Sequence, residues 1–87
     1  MPVSTMSLVE RIARIIAGRS VSANAEGDEI SAGNLVDSAW RDHRADALSV
    51  IRTLREPDEA MAAAGDVETW ERMIEAALAE AEAEAAS

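Results

Sequence analysis

The chain has 87 residues, a formal net charge of −9, no cysteine and a single histidine, His43. A chain of this length forms one small domain with a modest core, and since disulfides and a histidine-based metal cluster are excluded, oligomerisation or a partner is left to supplement its stability. The acidic charge and the lack of an apolar run of about 20 residues argue against direct binding to nucleic acid or membrane, so the expected location is the cytoplasm.

The first predicted element is an amphipathic helix that opens at Ser7. Ser7 and Glu10 have the spacing of a capping box, in which the two side chains reciprocally satisfy free backbone N–H groups. Gly18 is expected to end this helix. Its apolar residues recur at helical spacing on one face: Leu8, Val9, Ile12, Ile15 and Ile16.

Residues 19–33 lose this periodicity and are predicted to form a long, mobile loop. A loop of that length is uncommon inside a compact domain, so it is either functional or disordered, and we favour disorder. Its acidic cluster of Glu26, Asp28 and Glu29 lacks the fixed alternate ligand positions of a calcium loop. No metal site is therefore predicted.

A second and longer helix is predicted from Asn34, a favourable N-cap, to Arg55 and Glu56. Pro57 disfavours helix in the residue before it and suits the first position of a third, short helix, which ends at Gly65. The apolar stripe of the second helix recurs at steps of three and four residues: Val36, Trp40, His43, Ala47, Val50, Ile51 and Leu54.

Asp66 is predicted to cap a fourth helix. The predicted domain spans residues 1–78. Residues 79–87 are predicted to be a solvated extension, which frays because its glutamates oppose the helix dipole. The sequence thus predicts an all-α fold, a small bundle of three main helices plus one short helix. The stripe of the fourth helix consists of Val67, Trp70, Met73, Ile74, Ala77 and Leu78.

No catalytic residue and no cofactor are predicted, and the chain is expected not to be an enzyme. Its carboxylates fall on hydrophilic helix faces, it has no cysteine nucleophile, and no serine lies in a GxSxG elbow. His43 is predicted to be a core or boundary residue. The alternative is a pH-responsive interface contact, because histidine titrates near neutrality.

The negative charge is concentrated in the last third of the chain, where ten acids from Glu56 onward face Arg72 alone. The third and fourth helices form a helix–turn–helix in the geometric sense. A helix that reads DNA carries basic and amide side chains, whereas the fourth helix offers Glu68, Glu71 and Glu75. These three residues are the candidate acidic partner face, and a DNA-mimicking or regulator-binding inhibitor is the alternative function.

Several short motifs form a recurrent pattern: Arg11-Ile12-Ala13-Arg14, Trp40 through Leu48, Leu54-Arg55-Glu56-Pro57, Ala60-Met61, Ala64-Gly65 and the run WERMIEAAL at 70–78. The pattern resembles that of short helical proteins of bacteria and phages. Because that family has no assigned biochemistry, the resemblance carries over no functional residue. It implies a context only, that of a phage-derived or mobile-element accessory protein, and it covers neither residues 19–33 nor the Ala-Glu extension.

We therefore expect a non-enzymatic interaction or structural accessory protein that acts through an amphipathic helix face. The expected partner is a protein, either another chain or a second copy in a homodimer. Trp70 and Met73 are predicted first as core residues and alternatively as part of an exposed contact stripe. The candidate interface residues are Trp40, His43, Trp70, Met73 and Ile74.

Overall fold

The computed structural model describes residues 3–24 and 36–86. Within these ranges the chain is helical and has no strand, which confirms the predicted all-α fold of three main helices and one short helix. Residues 36–39 are helical and lead directly into a 3₁₀ turn. The elements are α1 (Leu8–Asn24), the 3₁₀ turn (Trp40–His43), α2 (Arg44–Leu54), α3 (Glu59–Ala64) and α4 (Val67–Ala86).

Ser7 is the N-cap of α1, as its spacing to Glu10 predicts. The Ser7 hydroxyl accepts the backbone N–H of Glu10 at 3.3 Å, and the Ser7 carbonyl accepts the N–H of Arg11 at 3.0 Å. The Glu10 carboxylate does not close the capping box, because it accepts instead from Arg14 Nε at 2.8 Å. Half of the capping box is thus present, and an i,i+4 ion pair takes the place of the other half.

The predicted helix stop at Gly18 is wrong, because α1 continues through it to Asn24. The loop prediction is wrong for residues 19–24 for the same reason. A glycine inside a helix costs about 1 kcal/mol relative to alanine, a local penalty that tertiary packing of the helix readily outweighs. The rest of the predicted loop, 25–33, and the predicted N-cap Asn34 lie outside the described residues.

The predicted second helix is interrupted by the 3₁₀ turn. The φ angles of Ala39 (−106°) and His43 (−103°) depart from the α-helical value at the two ends of that turn. Trp40, Ala47 and Ile51 of the predicted stripe are buried, whereas Val50 is 42% exposed. The 3₁₀ segment turns the chain by more per residue than an α-helix does, so one unbroken helical stripe cannot describe all of it.

Side-chain caps set the start of α3 and of α4. The prediction that Pro57 is the first residue of α3 is wrong: Asp58 is the N-cap, and its carboxylate accepts the Met61 N–H at 2.9 Å. The predicted cap at Asp66 is confirmed. A hydrogen bond from the Thr69 hydroxyl, followed by backbone N–H bonds from Thr69 and Glu68, lowers the pKa of Asp66.

The core lies where α1, the 3₁₀ turn, α2 and α4 meet. On α1 it uses alanines, and Ile15, which the sequence places on the apolar face, is 63% exposed. Small side chains allow the helices to approach closely, so the buried face of α1 is rotated from the face rich in isoleucine. The buried apolar residues are Val9, Ala13, Ala17, Trp40, Ala47, Ile51, Ile74, Leu78 and Ala81.

The predicted boundary at residue 78 is wrong, because α4 continues to Ala86 and packs against the bundle. Ala81 is only 1% exposed, and Glu84 Oε2 accepts a hydrogen bond from the Ser7 hydroxyl at 3.1 Å. These contacts tie the end of α4 to the start of α1. Residues 79–86 are therefore part of the domain rather than a solvated extension.

Candidate functional site

Two kinds of site receive no support from the described residues. No helix in residues 3–24 and 36–86 is long and apolar enough to cross a membrane. In the same part of the chain, no three histidine or carboxylate side chains are grouped so that they could hold a metal ion.

The corner between α3 and α4 forms an apolar groove with a volume of about 230 Å³. We call it the α3–α4 groove. Met61 of α3 and Met73 of α4 are 40% and 61% exposed, and both line it. The full set of lining residues is Pro57, Met61, Gly65, Asp66, Val67, Thr69, Trp70 and Met73.

The groove exists because α3 stands away from the bundle. None of its residues is buried, and Met61 lines the groove together with Pro57 and Gly65, which flank the helix at its two ends. The methionine side chains of the groove thus remain partly exposed to solvent. Methionine is flexible and polarisable, which suits surfaces that adapt to a bound segment.

Trp70 forms the floor of the groove and also anchors it to the bundle. Its indole Nε1–H donates to the carbonyl oxygen of Leu54 at 2.6 Å, which satisfies one of the unpaired carbonyls at the end of α2. The half-buried indole packs against the core and at the same time lines the groove. Trp70 is therefore anchored by this hydrogen bond and by the core, whereas Met61 and Met73 are exposed.

The groove lies in the most acidic part of the chain. Between Glu56 and Glu75 there are seven acids and one base, Arg72, which gives a formal net charge of −6. Of these seven acids, Asp66 is the one that lines the groove. Asp66, at the edge of the groove, has its pKa lowered by the Thr69 hydroxyl and so stays ionised at neutral pH. A ligand of the groove therefore meets an apolar surface within a negative electrostatic field.

The candidate acidic face is separate from the groove. Glu68, Glu71 and Glu75 are exposed, as the sequence predicts. Because an α-helix turns about 100° per residue, these three side chains leave α4 on the side roughly opposite to Met73. Two distinct surfaces thus share α4, and substitutions can alter one without the other.

The structure brings together only part of the predicted interface. Trp40 and Ile74 are each 4% exposed and belong to the core, so they are not available to a partner. His43 is half-buried in the 3₁₀ turn, with Nδ1 3.9 Å from Asp46 Oδ2, away from the groove. Trp70 and Met73 do lie together.

Six of the eight residues that line the groove are missing from the predicted site: Pro57, Met61, Gly65, Asp66, Val67 and Thr69. The signal that could have found Met61 is its place as the one large apolar side chain of a short helix. A single methionine has nothing to pack against within such a helix, so it is available either to the bundle or to a partner.

Comparison of the chain with protein-family models, with curated proteins and with solved structures gives no match. No functional residue is therefore transferred from a relative. The candidate site rests on the geometry and charge of the α3–α4 groove.

Proposed function

We propose that the chain is a non-enzymatic protein-binding module whose α3–α4 groove takes a cationic, amphipathic segment of another protein. One observation supports this most strongly: Met61, Trp70 and Met73 line an open groove within a stretch of net charge −6. An accessory protein of this kind also suits the phage or mobile-element context that the sequence resemblance implies.

The chemistry of the groove favours an amphipathic segment over a small ligand. An amphipathic helix lays its apolar side chains into a groove and leaves its charged side chains at the rim. Here the apolar side chains would contact Met61, Trp70 and Met73, while a lysine or arginine side chain would face the carboxylate of Asp66 at the edge of the groove. The carboxylates would speed association and would exclude acidic segments.

A second copy of the chain is the less favoured occupant. Contact between two α3–α4 grooves would bring together two surfaces of the same negative sign, which repel at low ionic strength. A cationic partner is attracted by the same charges. We therefore favour another protein over a homodimer.

The alternative is that Glu68, Glu71 and Glu75 imitate the phosphates of DNA and occupy a DNA-binding protein. Their exposure is compatible with that role. The two proposals differ in the surface that they need, because the acidic face lies on the other side of α4 from Met73. Glutamine at all three positions would abolish binding by a DNA mimic, but would leave the apolar contacts of the groove intact.

The test is the affinity for a synthetic helical peptide with one leucine-rich face and lysine on the other. We expect Met73→Gln to weaken binding by about tenfold, because a lost apolar contact is worth about 1–2 kcal/mol. Ile15→Gln on α1 is the matched control, since Ile15 and Met73 are similarly exposed at 63% and 61%. Equal effects of the two substitutions, or tighter binding of a glutamate-rich peptide, would overturn the proposal.

A further inference from the structure

The buried indole of Trp40 is surrounded by three arginine side chains. Their Cζ atoms lie 5.4 Å (Arg14), 4.7 Å (Arg41) and 5.3 Å (Arg44) from the ring centroid. Guanidinium groups are attracted to an indole face at such distances, but three of them on one ring also repel one another. Such a cluster is unusual on a chain whose net charge is −9.

Arg14 is neutralised within the bundle. Its Nε lies 2.8 Å from Glu10 Oε2 and its Nη1 lies 2.6 Å from Asp37 Oδ1. The hydrogen bond to Asp37, followed by that to Glu10, raises the pKa of Arg14. Among the described residues, by contrast, neither Arg41 nor Arg44 has a carboxylate oxygen within 4.0 Å. Two positive charges are thus left without a counter-ion in this part of the chain.

Arg44 also has an unsatisfied donor. Its Nε is buried and has no hydrogen-bond partner, an arrangement that is unfavourable for a charged group. An open pocket of about 490 Å³ lies beside it. The residues that border this pocket are Glu10, Trp40, Arg41, Arg44, Glu84 and Ala85.

We propose that this pocket binds a small organic ligand with a single carboxylate group. A carboxylate matches the planar donor fork of arginine and can accept paired hydrogen bonds from it. Bound between Arg41 and Arg44, it would supply the missing counter-ion.

The two glutamates on the border restrict the ligand further. Glu10 is hydrogen-bonded to Arg14, and Glu84 accepts from Ser7, yet both carry negative charge. Their repulsion grows with the negative charge of the ligand, so phosphate and polyanions are disfavoured more strongly than a monocarboxylate. The other end of the ligand is neutral or cationic, as in an α-amino acid.

The test follows the indole N–H signal of Trp40 by ¹H–¹⁵N NMR during titration with sodium acetate, with sodium chloride at equal ionic strength as the control. We expect a saturable shift with acetate only. Arg44→Gln should weaken binding by about tenfold, because it removes the charge and the paired donors that a carboxylate would bind. Arg52→Gln, an exposed arginine on the same helix α2, should leave the affinity unchanged.

Arg41→Gln repeats the test at an exposed position and so remains informative even if Arg44→Gln fails to fold. The proposal is overturned by a shift that does not saturate, by equal shifts with chloride, by binding that survives Arg41→Gln unchanged, or by phosphate that binds more tightly than acetate.

The site is independent of the α3–α4 groove: Glu84 lies about 16 Å along α4 from Met73, given a rise of about 1.5 Å per residue.

Discussion

Trp70 donates its indole N–H to the carbonyl oxygen of Leu54 at 2.6 Å, and this bond joins the last turn of α2 to α4. It fixes the floor of the α3–α4 groove to the bundle and satisfies a carbonyl that the helix itself cannot pair. The same residue thus serves stability and the candidate site. Substitutions at Trp70 therefore need a stability measurement beside any binding measurement.

Trp70→Phe keeps most of the apolar area and removes the donor. We expect the free energy of unfolding to fall by about 1–2 kcal/mol, the usual cost of leaving a partly buried carbonyl unpaired. Urea denaturation followed by circular dichroism measures it. Met73→Gln is the control for the same groove and should change stability by less than about 0.5 kcal/mol, because its side chain is 61% exposed. Similar losses in both variants would contradict the role given to the hydrogen bond.

Ala81→Glu tests whether the end of α4 belongs to the core. Ala81 is 1% exposed, so a carboxylate at this position would be buried without a partner, and we expect the domain to lose about 3 kcal/mol or more of stability. Ala79→Glu places the same side chain at an exposed position of the same helix and should be nearly neutral. Thermal unfolding of both variants gives the comparison. A neutral Ala81→Glu would restore the prediction of a solvated extension.

Gly18→Ala tests the continuity of α1. A Cβ atom at Gly18 would lie 3.7 Å from Val36 Cγ2, an ordinary van der Waals contact. We therefore expect the substitution to raise the free energy of unfolding by about 0.5–1 kcal/mol through helix propensity. Gly65→Ala, at the non-helical end of α3, should give no such gain. A destabilising Gly18→Ala in urea denaturation would contradict a helix that runs through this position.

The Asp66 cap predicts a pH dependence of stability. Because its hydrogen bonds lower the pKa of Asp66 in the folded state, the stability that they contribute is present above the unfolded value of about 4 and is lost as pH falls through the lower folded value. Asp66→Asn removes the titration. The difference in urea midpoint between the wild type and this variant should therefore shrink below about pH 4. A difference that stays constant from pH 2 to pH 7 would contradict the assignment.

The sequence predicts the fold class and several caps because those depend on local chemistry. Ser7 and Asp66 cap their helices through side chains within three residues, and Gly65 ends α3 as predicted. Gly18 does not end a helix, because its penalty is smaller than the packing that surrounds it.

The buried faces are harder to predict than the helices. On α1, hydrophobicity alone favours Ile15, whereas close packing selects Ala13 and Ala17. In the run of alternating alanine and glutamate, nothing in the sequence distinguishes buried Ala81 from the exposed alanines around it. Its burial depends on the position of α1, which packs against this end of α4. The α3–α4 groove was only partly predictable for a similar reason: Met61 becomes a surface residue because α3 stands away from the bundle.

The central claim is that the α3–α4 groove is the surface that binds a partner. The most direct measurement is a ¹H–¹⁵N NMR titration with the lysine-rich amphipathic peptide. We expect saturable shifts of the groove-lining residues Met61, Gly65, Thr69, Trp70 and Met73, including the indole N–H of Trp70, while the indole N–H of buried Trp40 stays in place. Shifts centred on the opposite side of α4, at Glu68, Glu71 and Glu75, or spread over α1, would contradict it.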